Sequence, residues 1–188
     1  MSLKMVKEKK KKHWVKIMAP PELDSEVLGE TIIFEPKTLI GRKLDVNLFT
    51  LTRDLKKQNS NLGFIIKDIK EGQATTELYK YYISLSYMRR LVKNSKDKIE
   101  DSFIAETKDK IKVRIKPVMI TKRKTSKSIL TNLRMTSRDM LSKYLSETNF
   151  TEFVKEIVMG RIQVRLKHNL KKIYPLSLYD IKNAEKLK

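Results

Sequence analysis

Lys110-Ile111-Lys112-Val113-Arg114-Ile115-Lys116 alternates cation and aliphatic residue without a break. Successive side chains of an extended chain point to opposite faces, so the stretch predicts a strand. Ile111, Val113 and Ile115 would form its apolar face, and the four cations the other. Pro117 removes a backbone donor and marks an edge or a bend, after which Val118 to Thr121 resume the strand. The cations repeat about every 6.6–6.8 Å, a spacing comparable to that of phosphates along a nucleic-acid strand. The plainer alternative is a solvated basic edge strand, since edge lysines discourage unwanted pairing.

Upstream, the residues from Leu28 to Thr121 read mostly as short strands. Thr31 to Phe34, Leu44 to Leu51 and Leu62 to Ile69 are apolar or β-branched, punctuated by Pro36, Gly41, Gly63 and Gly72. One helix interrupts them, with Leu85, Met88, Val92 and Ile99 on its apolar stripe, Ser84 or Ser86 as cap, and Arg89, Arg90 and Lys93 off the stripe. Beyond Ser128 the period becomes helical. Leu130, Leu133, Leu141, Tyr144 and Leu145 predict one helix. A second, capped by Asn149 or Thr151, runs through Phe153, Val154, Ile157 and Val158 to Gly160, and a third runs from Arg161 to Tyr174, stopped by Pro175. Strands followed by helices give the class α+β, with an antiparallel β-barrel-like core followed by and flanked by α-helices. The expected organisation is a basic arm over residues 1–13 and a single domain over 14–188, mainly β with one helix to 127 and mainly helical from 128.

The chain has 188 residues and a formal charge of +20. That charge is not evenly spread: residues 1–12 carry +5, 13–107 +1, 108–127 +8, 128–160 zero and 161–188 +6. Like charges this dense repel one another in the free protein and are better tolerated beside phosphates. Residues 1–12, with Lys9 to Lys12 unbroken, are expected to stay disordered until a polyanion neutralises them. Trp14, the only tryptophan, follows with Val15, Ile17, Pro20 and Pro21. This reads as an extended segment pinned to the body by one ring, and core packing is the preferred reading of that ring over base stacking.

Catalytic chemistry has little to stand on. There is no cysteine, so disulfides, thiolate zinc sites and a cysteine nucleophile are excluded together. His13 and His168 lack the context of a catalytic or zinc motif, and the five scattered glycines form no phosphate loop. Glu100 and Asp101 read as ordinary surface charges among lysines. No cofactor or metal is expected. No signal peptide and no membrane-length apolar run is legible, so the chain reads as soluble and intracellular.

Motif order then resembles a known family. Trp14-Val15-Lys16-Ile17-Met18-Ala19-Pro20-Pro21, Leu28-Gly29-Glu30-Thr31 and Leu39-Ile40-Gly41-Arg42 come first. Ala74-Thr75-Thr76, Met88-Arg89-Arg90-Leu91-Val92, Thr107-Lys108-Asp109, Thr121-Lys122-Arg123 and Ile173-Tyr174-Pro175-Leu176 follow. This series resembles the archaeal and eukaryotic small-subunit ribosomal protein family S-one-e, formerly S-three-a-e, over nearly the whole chain. The family commonly has Gly-Tyr after the Asp that Asp109 matches, where this chain has Lys110 and Ile111, and a Gly-containing turn within the stretch matched by Glu77 to Tyr82. The long C-terminal extension of eukaryotic members has no counterpart, which resembles the archaeal form.

The resemblance implies a β-barrel core on the small-subunit platform near the messenger exit, in contact with ribosomal RNA and neighbouring platform proteins. Messenger RNA is a further implied partner, with no membrane and no obligate homo-oligomer. The expected role is structural, supporting translation, and not enzymatic. The alternatives are a free RNA-binding or ribosome-assembly factor and an RNA-processing enzyme. The residues expected to bind RNA are Lys9, Lys10, Lys11, Lys12, Arg42, Arg89, Arg90, Lys110, Lys112, Arg114, Lys116, Lys122, Arg123, Lys124, Lys127, Lys171 and Lys172.

Overall fold

A computed structural model describes residues 12–23, 26–70 and 72–187. Among the described residues the fold is mixed α and β, with nine strands in one sheet. The main path runs β2 (Val27–Ile33), β1 (His13–Met18), β5 (Gln73–Ile83), β9 (Leu176–Lys186), β8 (Lys112–Thr121) and β6 (Lys98–Glu100). Off that path, β3 (Lys43–Asn47) pairs with β4 (Ser60–Lys70), β4 also with β5, and β7 (Phe103–Glu106) with β8. The sheet is not closed into a barrel, against expectation: β2 ends the path at one side and β6 and β7 at the other. Nor is it wholly antiparallel, because β1 and β5 pair in parallel at Lys16↔Gln73 to Met18↔Thr75.

Two compact units divide the chain, residues 1–44 with 64–77, and 45–63 with 78–188. In the first, β1 and β2 pair from His13↔Ile33 to Met18↔Val27. Val15, Ile17 and Ile33 turn inward onto Leu39, Ile66 and Ala74 to form its core. Alternation along β1 then places Trp14 on the opposite face. Trp14 is 66% exposed. The expected core packing of Trp14 is therefore wrong, because Val15 and Ile17 occupy the inward positions.

In the second unit β8 is the backbone of the core. It pairs with β9 from Val113↔Lys186 to Thr121↔Leu176, and along its other side with β6 and β7. With neighbours on both sides it is no edge strand, so solvation of an edge cannot explain its lysines. Val113 and Ile115 are buried, and the register shifts between Lys116 and Pro117. Beyond that irregularity Pro117 to Thr121 are buried on both faces. Pro117 thus marks a bulge in an internal strand, where its missing donor is tolerated.

Helices cover this sheet. In α3 (Lys127–Glu147) the buried positions Leu133, Ser137, Leu141 and Leu145 recur every fourth residue. The Ser137 hydroxyl lies 2.9 Å from that of buried Tyr179 of β9. A second helix, α4 (Phe150–Met159), starts at an Asn149/Glu152 capping box and ends at Gly160, whose φ of 74° suits a residue without Cβ. Its buried face is Phe150, Phe153, Val154 and Ile157. In α5 (Arg161–Leu170) Ile162, Leu166 and Leu170 face inward.

Four expectations need correction. The strand expected over Leu44 to Leu51 ends at Asn47, whose side chain accepts from Phe49 N at 2.8 Å and starts α1 (Leu48–Thr52). The helix expected to reach Ile99 stops as α2 (Leu85–Leu91), since Val92 is already extended, and Ile99 belongs to β6. The helix expected to reach Tyr174 ends at Leu170, and the 11-residue strand β9 follows it. Polar residues and two register shifts against β8 blur the period of β9, which hides it from a search for alternation. Finally, Lys110 lies before β8 in a turn, donating its N–H to Thr107 O at 2.8 Å with a φ of 59°. That left-handed conformation favours glycine, which is the residue the resembled family commonly has there.

Candidate nucleic-acid interface

The outward face of β8 carries Lys112, Arg114 and half-buried Lys116, and Lys110 is outside its ladder. Register decides what these cations meet. Glu106 of β7 stands directly opposite Lys112, and Glu185 of β9 directly opposite Arg114. Neither pair closes into an ion pair, but opposite charges at facing positions lower the field that an external phosphate meets. Asn183 faces Lys116. A few residues away, Glu100 lies 2.8 Å from Lys98 and 3.2 Å from Lys182, and its hydrogen bond from Lys98, then Lys182, holds its carboxyl below the usual range against the effect of burial. Burial pushes the neighbouring Asp101 up, but Arg138, bound through two hydrogen bonds of 2.7 and 3.0 Å, and Ser102 N–H more than offset it. Glu100 and Asp101 are thus structural partners of cations.

The other expected residues are dispersed. Exposed Lys12 precedes β1, with its Nζ 5.4 Å from the Phe34 ring centre. Arg42 follows Leu39-Ile40-Gly41, its backbone held by bonds with Leu39 and Ile66 and its side chain exposed. In the last turn of α2, Arg89 and Arg90 are exposed, and Arg90 donates to Asn59 at 3.4 Å. Lys9, Lys10 and Lys11 lie outside the described residues.

One convergence stands out within the second unit. The connection from β8 to α3 carries exposed Lys122, Arg123 and Lys124, with Lys127 opening α3. Lys122 N–H donates to Pro175 O at 3.1 Å, and Tyr174 Oη donates to Arg123 O at 3.5 Å, so the connection is tied to the segment after α5. Lys122, Val164, Lys167, His168, Lys171, Pro175 and Leu176 line the resulting cleft of about 420 Å³. Val164, Lys167, His168 and Lys171 recur at helical spacing, so α5 and its C-cap present one cationic face into it. Three lysines and no carboxylate line this cleft. Lys167 is held in place by donating to Ser177 O at 2.7 Å.

The cleft joins the basic blocks at 108–127 and 161–188, which are far apart in sequence. It unites Lys122 and Lys171 from the expected set, while Arg123, Lys124, Lys127 and Lys172 are exposed on the segments that bear them. Sequence reasoning missed Lys167 and gave His168 no role. The available signal was the pattern Val164, Lys167, His168, Lys171 with an aliphatic residue 71% exposed at its head.

Such a cleft can hold phosphates through ammonium groups while Val164 and Pro175 contact sugar or base edges. Among the described residues no group of three or more His, Asp or Glu could hold a metal ion, and no helix is long and apolar enough to cross a membrane.

Comparison with known proteins agrees with the resemblance read from the motifs. Residues 2–188 match the Ribosomal S3Ae family. Small ribosomal subunit protein eS1 of Halorubrum lacusprofundi is 33% identical over 93% of this chain and 81% of its own length. The protein of that name from Methanobrevibacter smithii is 31% identical over 92% of the chain and 89% of its length. That of Saccharolobus islandicus is 32% identical over 97% and 88%.

Proposed function

Because the chain belongs to the Ribosomal S3Ae family, we propose that it is a structural constituent of the small ribosomal subunit and binds ribosomal RNA there through the Lys122–Lys171 cleft. The family is one of ribosomal proteins, not of enzymes. Its relatives carry the name of a small-subunit protein, and association with that subunit, its RNA and its proteins follows for this chain. The observation that carries the reading of the cleft is the meeting of two separate basic blocks around a concavity without a carboxylate. Cations collected this way release counterions when they meet phosphates, the main sequence-independent driving force for binding RNA. The exposed cations Arg123, Lys124, Lys127 and Lys172 extend the same field, and Lys9 to Lys12, Arg42, Arg89 and Arg90 supply contacts from other segments. The strand cations Lys112, Arg114 and Lys116, with Lys110, are secondary contacts in this reading.

The resemblance further suggests a place on the platform near the messenger exit, with neighbouring platform proteins and messenger RNA as partners, no obligate homo-oligomer, and a cytoplasmic location. Sedimentation tests the assignment. A tagged chain expressed in an archaeal host is expected in small-subunit fractions after a moderate-salt wash. Its recovery only in free fractions or pre-subunit particles would favour the assembly-factor alternative.

A further inference from the structure

The outward face of the β1–β2 ribbon has no role in the cleft and is built unlike it. Trp14 is 66% exposed, Ile32 directly opposite it 45%, and Phe34 53%. Large rings in water cost free energy, and adjacent exposed ones mark a contact surface. Val15 and Ile17 satisfy the core, so the ring of Trp14 contributes nothing to that core.

Cations interleave with these rings. Lys12, Trp14 and Lys16 share the parity of one strand face, two residues apart, and all three are exposed. Lys12 already lies over Phe34, at 5.4 Å from the ring centre. Across the ribbon Glu30 stands opposite Lys16, the one carboxylate directly paired with this row. In the sequence, Lys9, Lys10 and Lys11 lead straight into Lys12.

We propose that this face is a stacking site for unpaired nucleotides of RNA, with a base on Trp14, a neighbouring base at Phe34, and their phosphates beside Lys12 and Lys16. A duplex hides its base faces in its own stack, whereas single-stranded nucleotides offer them to aromatic rings. The two-residue repeat along β1, about 6.8 Å, suits alternating base and phosphate contacts. A protein partner fits less well. Lysines are depleted from protein–protein interface cores, yet here they flank the tryptophan on both sides. The inference shares with the proposed function the premise that the polyanion is RNA, but it uses different residues and a different form of RNA.

Trp14 is the only tryptophan, so its fluorescence reports on this site alone. The full chain is titrated with a short oligoadenylate, with an abasic oligomer of the same length, and with an RNA duplex. Oligoadenylate is expected to quench Trp14 strongly and the abasic oligomer to quench it weakly. Trp14→Ala should weaken oligoadenylate binding about tenfold, the order found for loss of one stacked base, and Trp14→Phe should restore part of it. Duplex affinity should change by less than about twofold in either variant.

Equal quenching by the abasic oligomer, or unchanged oligoadenylate affinity in Trp14→Ala, overturns the proposal. So does a Trp14→Ala chain that binds oligoadenylate normally yet fails to enter small subunits, because that identifies a protein-docking face. A Lys122→Glu/Lys171→Glu chain separates the two readings. It should lose duplex affinity and keep base-dependent quenching, and unchanged duplex affinity in that variant counts against the cleft alone.

Discussion

The outward face of β8 and the cleft beside α5 are both basic, and both belong to the second unit, but their cations have different neighbours. On β8, Lys112 and Arg114 alternate with aliphatic residues as regularly as any segment of the chain, yet each faces a glutamate across the ladder. In the cleft, Lys122, Lys167 and Lys171 come from two distant segments and meet no lining carboxylate. A count along the chain sees only the first arrangement. What a phosphate experiences is the sum over neighbours in space, and strand register or helix docking sets that sum.

Charge reversal in each region is the most direct way to break this contrast. Lys122→Glu/Lys171→Glu should weaken binding to a small-subunit RNA fragment more than tenfold and lower the log-affinity slope against log salt by about 1.4–1.8, as expected for two lost phosphate contacts. Lys112→Glu/Arg114→Glu should cost about threefold or less and leave most of the slope. Filter binding or fluorescence anisotropy across a salt series measures both. Equal losses would mean that the cross-strand glutamates do not restrain the strand cations, and the distinction would collapse.

A finer test removes the restraint in place of the cation. Glu106→Gln/Glu185→Gln keeps size and polarity while removing the negative charges that face Lys112 and Arg114, Glu185 also facing Lys80 of β5. Affinity should rise by about two- to threefold at low salt, with the gain fading as salt screens it. An unchanged affinity would show that the β8 face does not meet RNA at all.

These contrasts also show what sequence made legible. Aliphatic alternation located β8 almost to the residue, because a strand buried on one face must alternate. The stripes of α3 and α4 were equally plain, down to Asn149 and Gly160 at the ends of α4. β9 escaped notice because Asp180, Lys182, Asn183 and Glu185 make it read as polar, although it runs beside β8 for its whole length. Trp14 was misread because composition favours burying a tryptophan, whereas the phase of Val15 and Ile17 turns it outward. Lys110 was placed in the strand on alternation, but the departure from the family's glycine at that position was itself the sign of a left-handed turn. The cleft needed the docking of α5 onto β9, which no local pattern encodes.

The scaffold beneath the cleft provides the smallest expected effect on binding. Gln163 of α5 donates to Ile157 O at 2.9 Å and reaches Asp180 of β9 at 3.4 Å, linking the helix that carries the cleft lysines to the sheet. Asp180 is largely enclosed, and burial pushes its carboxyl above the usual range despite hydrogen bonds from Ile181 N–H and Gln163. An acid whose pKa is raised on folding gains protons relative to the unfolded chain, so its contribution to stability is present at low pH and is lost as pH rises through the folded value. Above the unfolded value, neutral pH included, enclosing this carboxyl therefore costs stability. Asp180→Asn keeps an acceptor for Gln163 and removes that charge, so thermal unfolding at pH 7 should occur at a higher temperature than in the unsubstituted chain. The advantage should shrink as the pH is lowered towards the ordinary aspartate range. RNA affinity at pH 7 should stay within about twofold, because Asp180 does not line the cleft. A large gain in affinity would instead show that this buried carboxylate acts on the cleft through the low-dielectric core, and would place it with Glu106 and Glu185 among the charges that restrain binding.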